Sequence, residues 1–122
     1  MRDNSREAVA ARKARRRVSL EDELGRMLAL LRAHAGVRRV ILFGSLARGE
    51  SGAHSDLDLI VIQDTAKRFL DRLDEFYRLL SPRVATDILV YTPGEWSALA
   101  TSRPLIRRAQ REGRVVYESE AA

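Results

Sequence analysis

The sequence predicts an α+β fold, a small mixed β-sheet covered by helices. Three observations carry this expectation. Short apolar runs at 37–43, 57–62 and 84–91 are too short for helices and rich in strand-forming residues. Segments of helical periodicity alternate with them. Three glycines and three serines are gathered between residues 44 and 55, the composition of a turn-rich connection.

The elements follow in order. Residues 5–17 are rich in Ala and Arg and offer only Val9 and a few alanines to bury, which predicts a basic arm or partly helical extension over 1–18. The domain proper is expected at 19–118, with a tail at 119–122. Ser19 reads as a helix N-cap, with Glu21, Asp22 and Glu23 in the first turn where the helix dipole favours acids. Leu20, Leu24, Met27, Leu28 and Leu31 recur at helical spacing, and Gly36 supplies the stop after His34. A first strand follows at 37–43 and a second at 57–62. Residues 66–80 read as a helix with Phe69, Leu73, Phe76 and Leu80 on one face, ended by Ser81-Pro82. A third strand is expected at 84–91. Thr92-Pro93-Gly94-Glu95 combines an N-cap, a proline at the first helical position and a glutamate three residues beyond the cap. It opens a short helix carrying Trp96 and Leu99. A further helix from Pro104 to Glu112, with Leu105, Ile106 and Ala109 inward, stops at Gly113, and residues 114–118 close the fold as a strand.

Composition narrows the function classes. The chain of 122 residues suits one domain with one modest core. It contains no cysteine, which excludes a disulfide scaffold and a thiolate metal site. No apolar run resembles a signal peptide or spans a bilayer, so a cytoplasmic location is expected. The formal charge is +5. Residues 1–18 hold seven Arg/Lys and two Asp/Glu, which is already +5, so the other residues carry 15 of each sign. The basic character therefore belongs to the arm, which is either a solvated extension or a contact for RNA or a partner.

The chemistry concentrates between Gly44 and Asp87. Along a strand side chains repeat every two residues, so Asp56 and Asp58 point to one side while Leu57 and Leu59 anchor the other. Adjacent carboxylates repel unless a positive group lies between them. Oxygen-only donors in a cysteine-free chain favour Mg²⁺ or Mn²⁺ over zinc. Asp87 interrupts another apolar strand and joins the cluster if that strand lies beside the Asp58 strand. Gly44 permits backbone to approach phosphate, and Ser45 adds a hydroxyl donor. Arg48 is a candidate for triphosphate charge or for an acidic neighbour. The absence of a lysine after the glycines excludes a Walker loop. His34 reads as a residue suited to a helix C-terminus and His54 as a loop histidine. Tyr91 and Trp96 could meet an adenine ring, the core or a partner. Arg103, Arg107, Arg108, Arg111 and Arg114 make a basic C-terminal face, either solvated or gripping an acidic partner or RNA.

Gly44-Ser45, ten intervening residues, then Asp56-x-Asp58 resembles the nucleotidyltransferase superfamily that includes DNA polymerase beta. It is most similar to the minimal nucleotidyltransferase domains of prokaryotes encoded with a helical HEPN partner. Ala47-Arg48-Gly49, Ser55 before the first aspartate, Leu59-Ile60-Val61 and the later Asp87 reinforce the match, which spans roughly residues 37–91. The resemblance implies a nucleotidyltransferase-like fold with its site at one open end of the sheet. It implies that Asp56, Asp58 and Asp87 hold two Mg²⁺ ions and that Gly44 and Ser45, with Arg48 and Ser55 beside them, bind the phosphates. It further implies transfer of AMP from ATP to a tyrosine of a HEPN-type protein, in a homo- or hetero-oligomer. Two alternatives stand beside that activity: an antitoxin that acts by complex formation alone, and a transferase or binder acting on RNA through the basic arm.

Overall fold

The computed structural model describes residues 2–44, 46–48 and 57–120. The element order is α1 (Arg2–Ala33), β1 (Val37–Phe43), β2 (Leu57–Gln63), α2 (Phe69–Leu80), β3 (Thr86–Tyr91), α3 (Pro93–Ser102), α4 (Pro104–Glu112) and β4 (Arg114–Glu118). The strands form one sheet in the order β3-β2-β1-β4. β1 runs antiparallel to both β2 and β4, whereas β2 and β3, joined through α2, are parallel. The sheet is thus mixed, as the alternation of runs and helices predicts.

Alternation along the strands builds two cores. On one face Val40, Leu42, Leu57, Leu59, Val61, Ile88 and Val90 pack with Leu20, Leu24, Met27 and Leu31 of α1 and with Phe76 and Leu80 of α2. On the other, Ile41, Ile60 and Ile62 pack with Trp96 of α3 and Ile106 of α4. Trp96 is therefore a core residue, and Tyr91 stacks beside it with ring centroids 6.0 Å apart. Leu105 and Ala109, expected to point inward, have side chains outside the described residues.

Three boundaries differ by two residues or more from the sequence expectation, the slightest being β3, which starts at Thr86 and not at 84. α1 does not start at Ser19 but runs unbroken from Arg2. Ala and Arg are strong helix formers, and no Gly or Pro interrupts residues 2–24, so a helix nucleated on the leucine stripe propagates upstream through Ser19. α2 begins at Phe69, not at 66, because residues 64–68 turn the chain. The Asp64 N–H donates to the Gly36 carbonyl at 2.8 Å, and the Lys67 N–H donates to the Thr65 hydroxyl at 3.1 Å. The capping box forms as read: the Glu95 N–H donates to Thr92 Oγ1 at 3.2 Å, and Glu95 Oε1 accepts from the Thr92 N–H at 2.8 Å.

Buried charge ties the helices together. Arg72 of α2 donates to Glu95 of α3 at 2.6 Å and to the Lys67 carbonyl at 2.8 Å. The Arg72 hydrogen bond, then the Thr92 backbone N–H, hold the Glu95 carboxyl below its ordinary range. Glu75 accepts from Lys67 at 2.6 Å and from Gln63 at 2.9 Å, and lies 2.5 Å from His34 Nε2 at the end of α1.

Candidate active site

The site end of the sheet is where β1 finishes and β2 and β3 begin. Asp58 and Asp87 are register partners across the parallel β2–β3 pair. In-register neighbours project to the same face, here the face of Ile60, Ile62 and Leu89. Asp58 is half-buried and Asp87 exposed. Across β1, Asp58 pairs with Phe43, so the residue after Phe43 is brought against its carboxylate.

That residue is Gly44, at φ +82°. A Cβ here would collide with Asp58 Oδ2 and stand 3.2 Å from Cγ. Glycine is required twice over, by the left-handed backbone and by the close approach. The Arg48 N–H donates to the Gly44 carbonyl at 3.3 Å, closing a turn. Leu46, buried at 5 % exposure, pins that turn to the core. Arg48 Nη1 lies 3.9 Å from Glu112 at the end of α4, so its acidic neighbour comes from the last helix.

The β3 strand is held from two sides. The Leu57 N–H donates to the Ala85 carbonyl at 3.1 Å, joining the starts of β2 and β3. On the outer edge, the Tyr77 hydroxyl of α2 donates to the Thr86 carbonyl at 3.0 Å and accepts from the Ile88 N–H at 3.1 Å. These groups flank Asp87 and would otherwise form an open sheet edge. Ahead of β3, the buried Glu23 accepts from the Arg83 N–H at 2.6 Å and from Arg26 at 2.6 and 3.0 Å. The Arg26 hydrogen bond lowers the Glu23 carboxyl pKa against the effect of burial.

Gly44, Asp58 and Asp87 thus come together, with Arg48 on the adjoining turn. Ser45, Ser55, Asp56 and His54 lie outside the described residues. Among the described residues no three metal-ligating side chains converge, the motif's first aspartate being one of those outside. Sequence reading missed the supports Glu23, Arg72 and Tyr77. Glu23 and Arg72 fall within the apolar stripes of their helices, beside Leu24 and Leu73. A charged residue at such a position signals a buried partner.

A carboxylate pair beside a glycine turn, on a mixed sheet with helices on both faces, defines a nucleotidyltransferase-like domain. The chain belongs to the polymerase beta nucleotidyltransferase family, whose model matches residues 26–122. Among solved structures, one similar chain is a proposed nucleotidyltransferase from Sulfolobus solfataricus, with 17% identity, 90% of each chain covered and a TM-score of 0.65. Another belongs to a tyrosine-to-alanine mutant of the toxin–antitoxin complex MntA–HpeT, with 21% identity, 79% of this chain and 72% of that chain covered, and a TM-score of 0.53. At these identities the likeness bears on the fold. No curated protein matches the sequence significantly. No helix among the described residues is long and apolar enough to cross a membrane.

Proposed function

We propose that the chain transfers AMP from ATP to a tyrosine hydroxyl of a helical HEPN-type partner and thereby acts as an antitoxin. The observation that carries this reading is the register pairing of Asp58 with Asp87 beside Gly44. Neighbouring strands lie roughly 4.8 Å apart, and two carboxylates on one face at that spacing suit a hard divalent cation with oxygen ligands. Asp58 and Asp87, joined by Asp56 of the same motif, would hold two Mg²⁺ ions, with Mn²⁺ as a substitute. The bound ions would neutralise triphosphate charge and favour ionisation of the attacking hydroxyl.

The chain's own groups do the rest. The Gly44 turn lets backbone approach the phosphates, with Ser45, Ser55 and Arg48 as donors. The tyrosine oxygen forms a bond to the α-phosphorus while the bond to the β-phosphate bridging oxygen breaks. Pyrophosphate leaves with that electron pair, and the tyrosine proton passes to Asp87. Asp87 is exposed and its carboxylate makes no hydrogen bond among the described residues, which suits a proton acceptor at the rim. A protein acceptor is supported by the fold likeness to a chain of a toxin–antitoxin complex.

The test incubates the protein and whatever co-purifies from its native cells with Mg²⁺ and each α-³²P-labelled nucleoside triphosphate. Label from ATP on a tyrosine of the partner, absent in Asp58→Asn and Asp87→Asn, is the expected result. A stoichiometric partner that never becomes labelled would replace catalysis with antitoxin action by binding.

A further inference from the structure

α1 uses only its second half to pack. Leu20, Leu24, Met27 and Leu31 are buried, whereas every residue from Ser5 to Arg15 is exposed. At 1.5 Å per residue, residues 5–19 extend about 22 Å.

Contacts along the helix fix where this extension emerges. Moving towards the N-terminus, His34 meets Glu75 in the middle of α2, Arg26 donates to the Leu80 carbonyl at its end, and Glu23 holds Arg83 beyond it. Arg15 and Val18 then line a cleft of about 410 Å³ with Arg83 and Val84, just ahead of β3 and Asp87. The overhang therefore leaves the domain at the end of the sheet that carries Asp58 and Asp87.

Its chemistry changes as it does so. At 100° per residue, Arg6, Lys13, Arg16 and Arg17, with Val9 the one large apolar residue among them, continue the stripe occupied downstream by Leu20, Leu24, Met27 and Leu31. The face that is leucine against the sheet becomes cationic past its edge. Arg6, Arg12, Lys13 and Arg15 have no ion-pair partner among the described residues. Five of the six cations in this stretch are arginines, whose planar fork matches phosphate oxygens. A helix that docks on protein presents apolar anchors at one-turn spacing. Here the exposed Val9 and Val18 stand nine residues apart.

We propose that the overhanging half of α1 is a nucleic-acid-binding surface that lays the phosphate backbone of an RNA along the carboxylate end of the sheet. This goes beyond the reading of the site and does not depend on which group accepts the nucleotide.

The test measures fluorescence anisotropy of a labelled 20-nucleotide mixed-sequence RNA with the full chain from 50 to 300 mM KCl. Six cations on a single strand set a limiting slope of about −4 for log K against log salt. In the variant Arg6→Gln, Arg12→Gln, Lys13→Gln, Arg15→Gln the slope falls to about −1.4, with at least a tenfold loss of affinity at 100 mM. The double variant Arg12→Gln, Lys13→Gln should fall between the two. Circular dichroism should stay that of the wild type, because these side chains touch nothing in the core. Substituting Arg107, Arg108 and Arg111 of α4 by Gln should leave RNA binding in place. Absent binding at 50 mM, or an unchanged slope in the fourfold variant, overturns the proposal. Equal or tighter binding of a labelled polyglutamate of the same length assigns the surface to an acidic polypeptide and also overturns it.

Discussion

Gly44 lies so close to Asp58 that the missing Cβ is the space the carboxylate occupies. Its backbone, at φ +82°, is in the region that side chains rarely adopt. Gly44→Ala therefore costs stability through backbone strain, about 1–2 kcal/mol, and displaces Asp58. Urea unfolding should show the first effect. Nucleotide transfer should fall at least tenfold, and retention of full activity would refute the positional role of the turn.

The carboxylate pair sets folding against function. Asp58 and Asp87 carry like charge at neighbouring positions of adjacent strands. In metal-free buffer, Asp87→Asn should leave the melting temperature unchanged or raise it, since repulsion is removed. The stabilisation that Mg²⁺ and ATP give the wild type by binding the native state should shrink or vanish in the variant. Thermal unfolding with and without these ligands reads both effects. A variant that retains the full ligand-induced shift would remove Asp87 from the site.

Acid sensitivity should centre on Glu75. Burial opposes its charge, but hydrogen bonds from Lys67, His34 and Gln63 outweigh burial and bring its pKa from 4.5 down to about 2. A depressed folded-state pKa stabilises above the unfolded value and loses that stabilisation as pH falls from about 4.5 through about 2. The window is worth roughly 3 kcal/mol at most. Glu75→Gln should be less stable at pH 6 and should show a shallower fall in unfolding free energy between pH 5 and 2. An unchanged slope would assign acid unfolding to other carboxylates.

Glu23 links α1 to the approach of the site strand. Its carboxylate, 6 % exposed, binds Arg26 and the Arg83 N–H. Glu23→Ala leaves the Arg83 N–H unmatched and Arg26 with only the Leu80 and Ser81 carbonyls, and Arg26 is partly open to solvent. We expect a loss of about 2 kcal/mol, measured by denaturant unfolding, and a larger loss than for the surface pair Arg78–Asp74. Parity between the two would make Glu23 an ordinary surface ion pair.

Local patterns were legible and long-range pairings were not. Val40-Ile41-Leu42-Phe43 reads as a strand because apolarity and length decide it, and Thr92-Pro93-Gly94-Glu95 reads as a cap because its geometry is contained in four residues. Ser19 misled because an N-cap residue followed by acids looks the same in mid-helix, and only the continuity of Ala and Arg upstream decides between the two. Gly44 and Asp58 were nameable, but the collision that makes glycine necessary depends on the β1–β2 register. Asp87 could join Asp58 only if two distant strands were parallel and in register, which alternation cannot specify. Arg72 marks the limit: its apolar-stripe position announces a buried partner, while Glu95, 23 residues away, was already explained by its cap.

Tyr77 supplies the last test because it touches the strand on both sides of Asp87 without touching the site. Its hydroxyl takes the Ile88 N–H and gives its proton to the Thr86 carbonyl, replacing the neighbour that edge strand β3 lacks. Tyr77→Phe keeps the ring and frees both backbone groups, at a cost of about 1 kcal/mol. Hydrogen exchange at Ile88 should accelerate while protection within β1 stays as in the wild type. If β3 alignment holds Asp87 for the reaction, kcat should fall severalfold with the KM for ATP little changed, and Tyr77→His should recover less than the wild-type rate. Faster exchange at Ile88 with an unaltered kcat would show that the tyrosine guards the sheet edge and that Asp87 keeps its place without it.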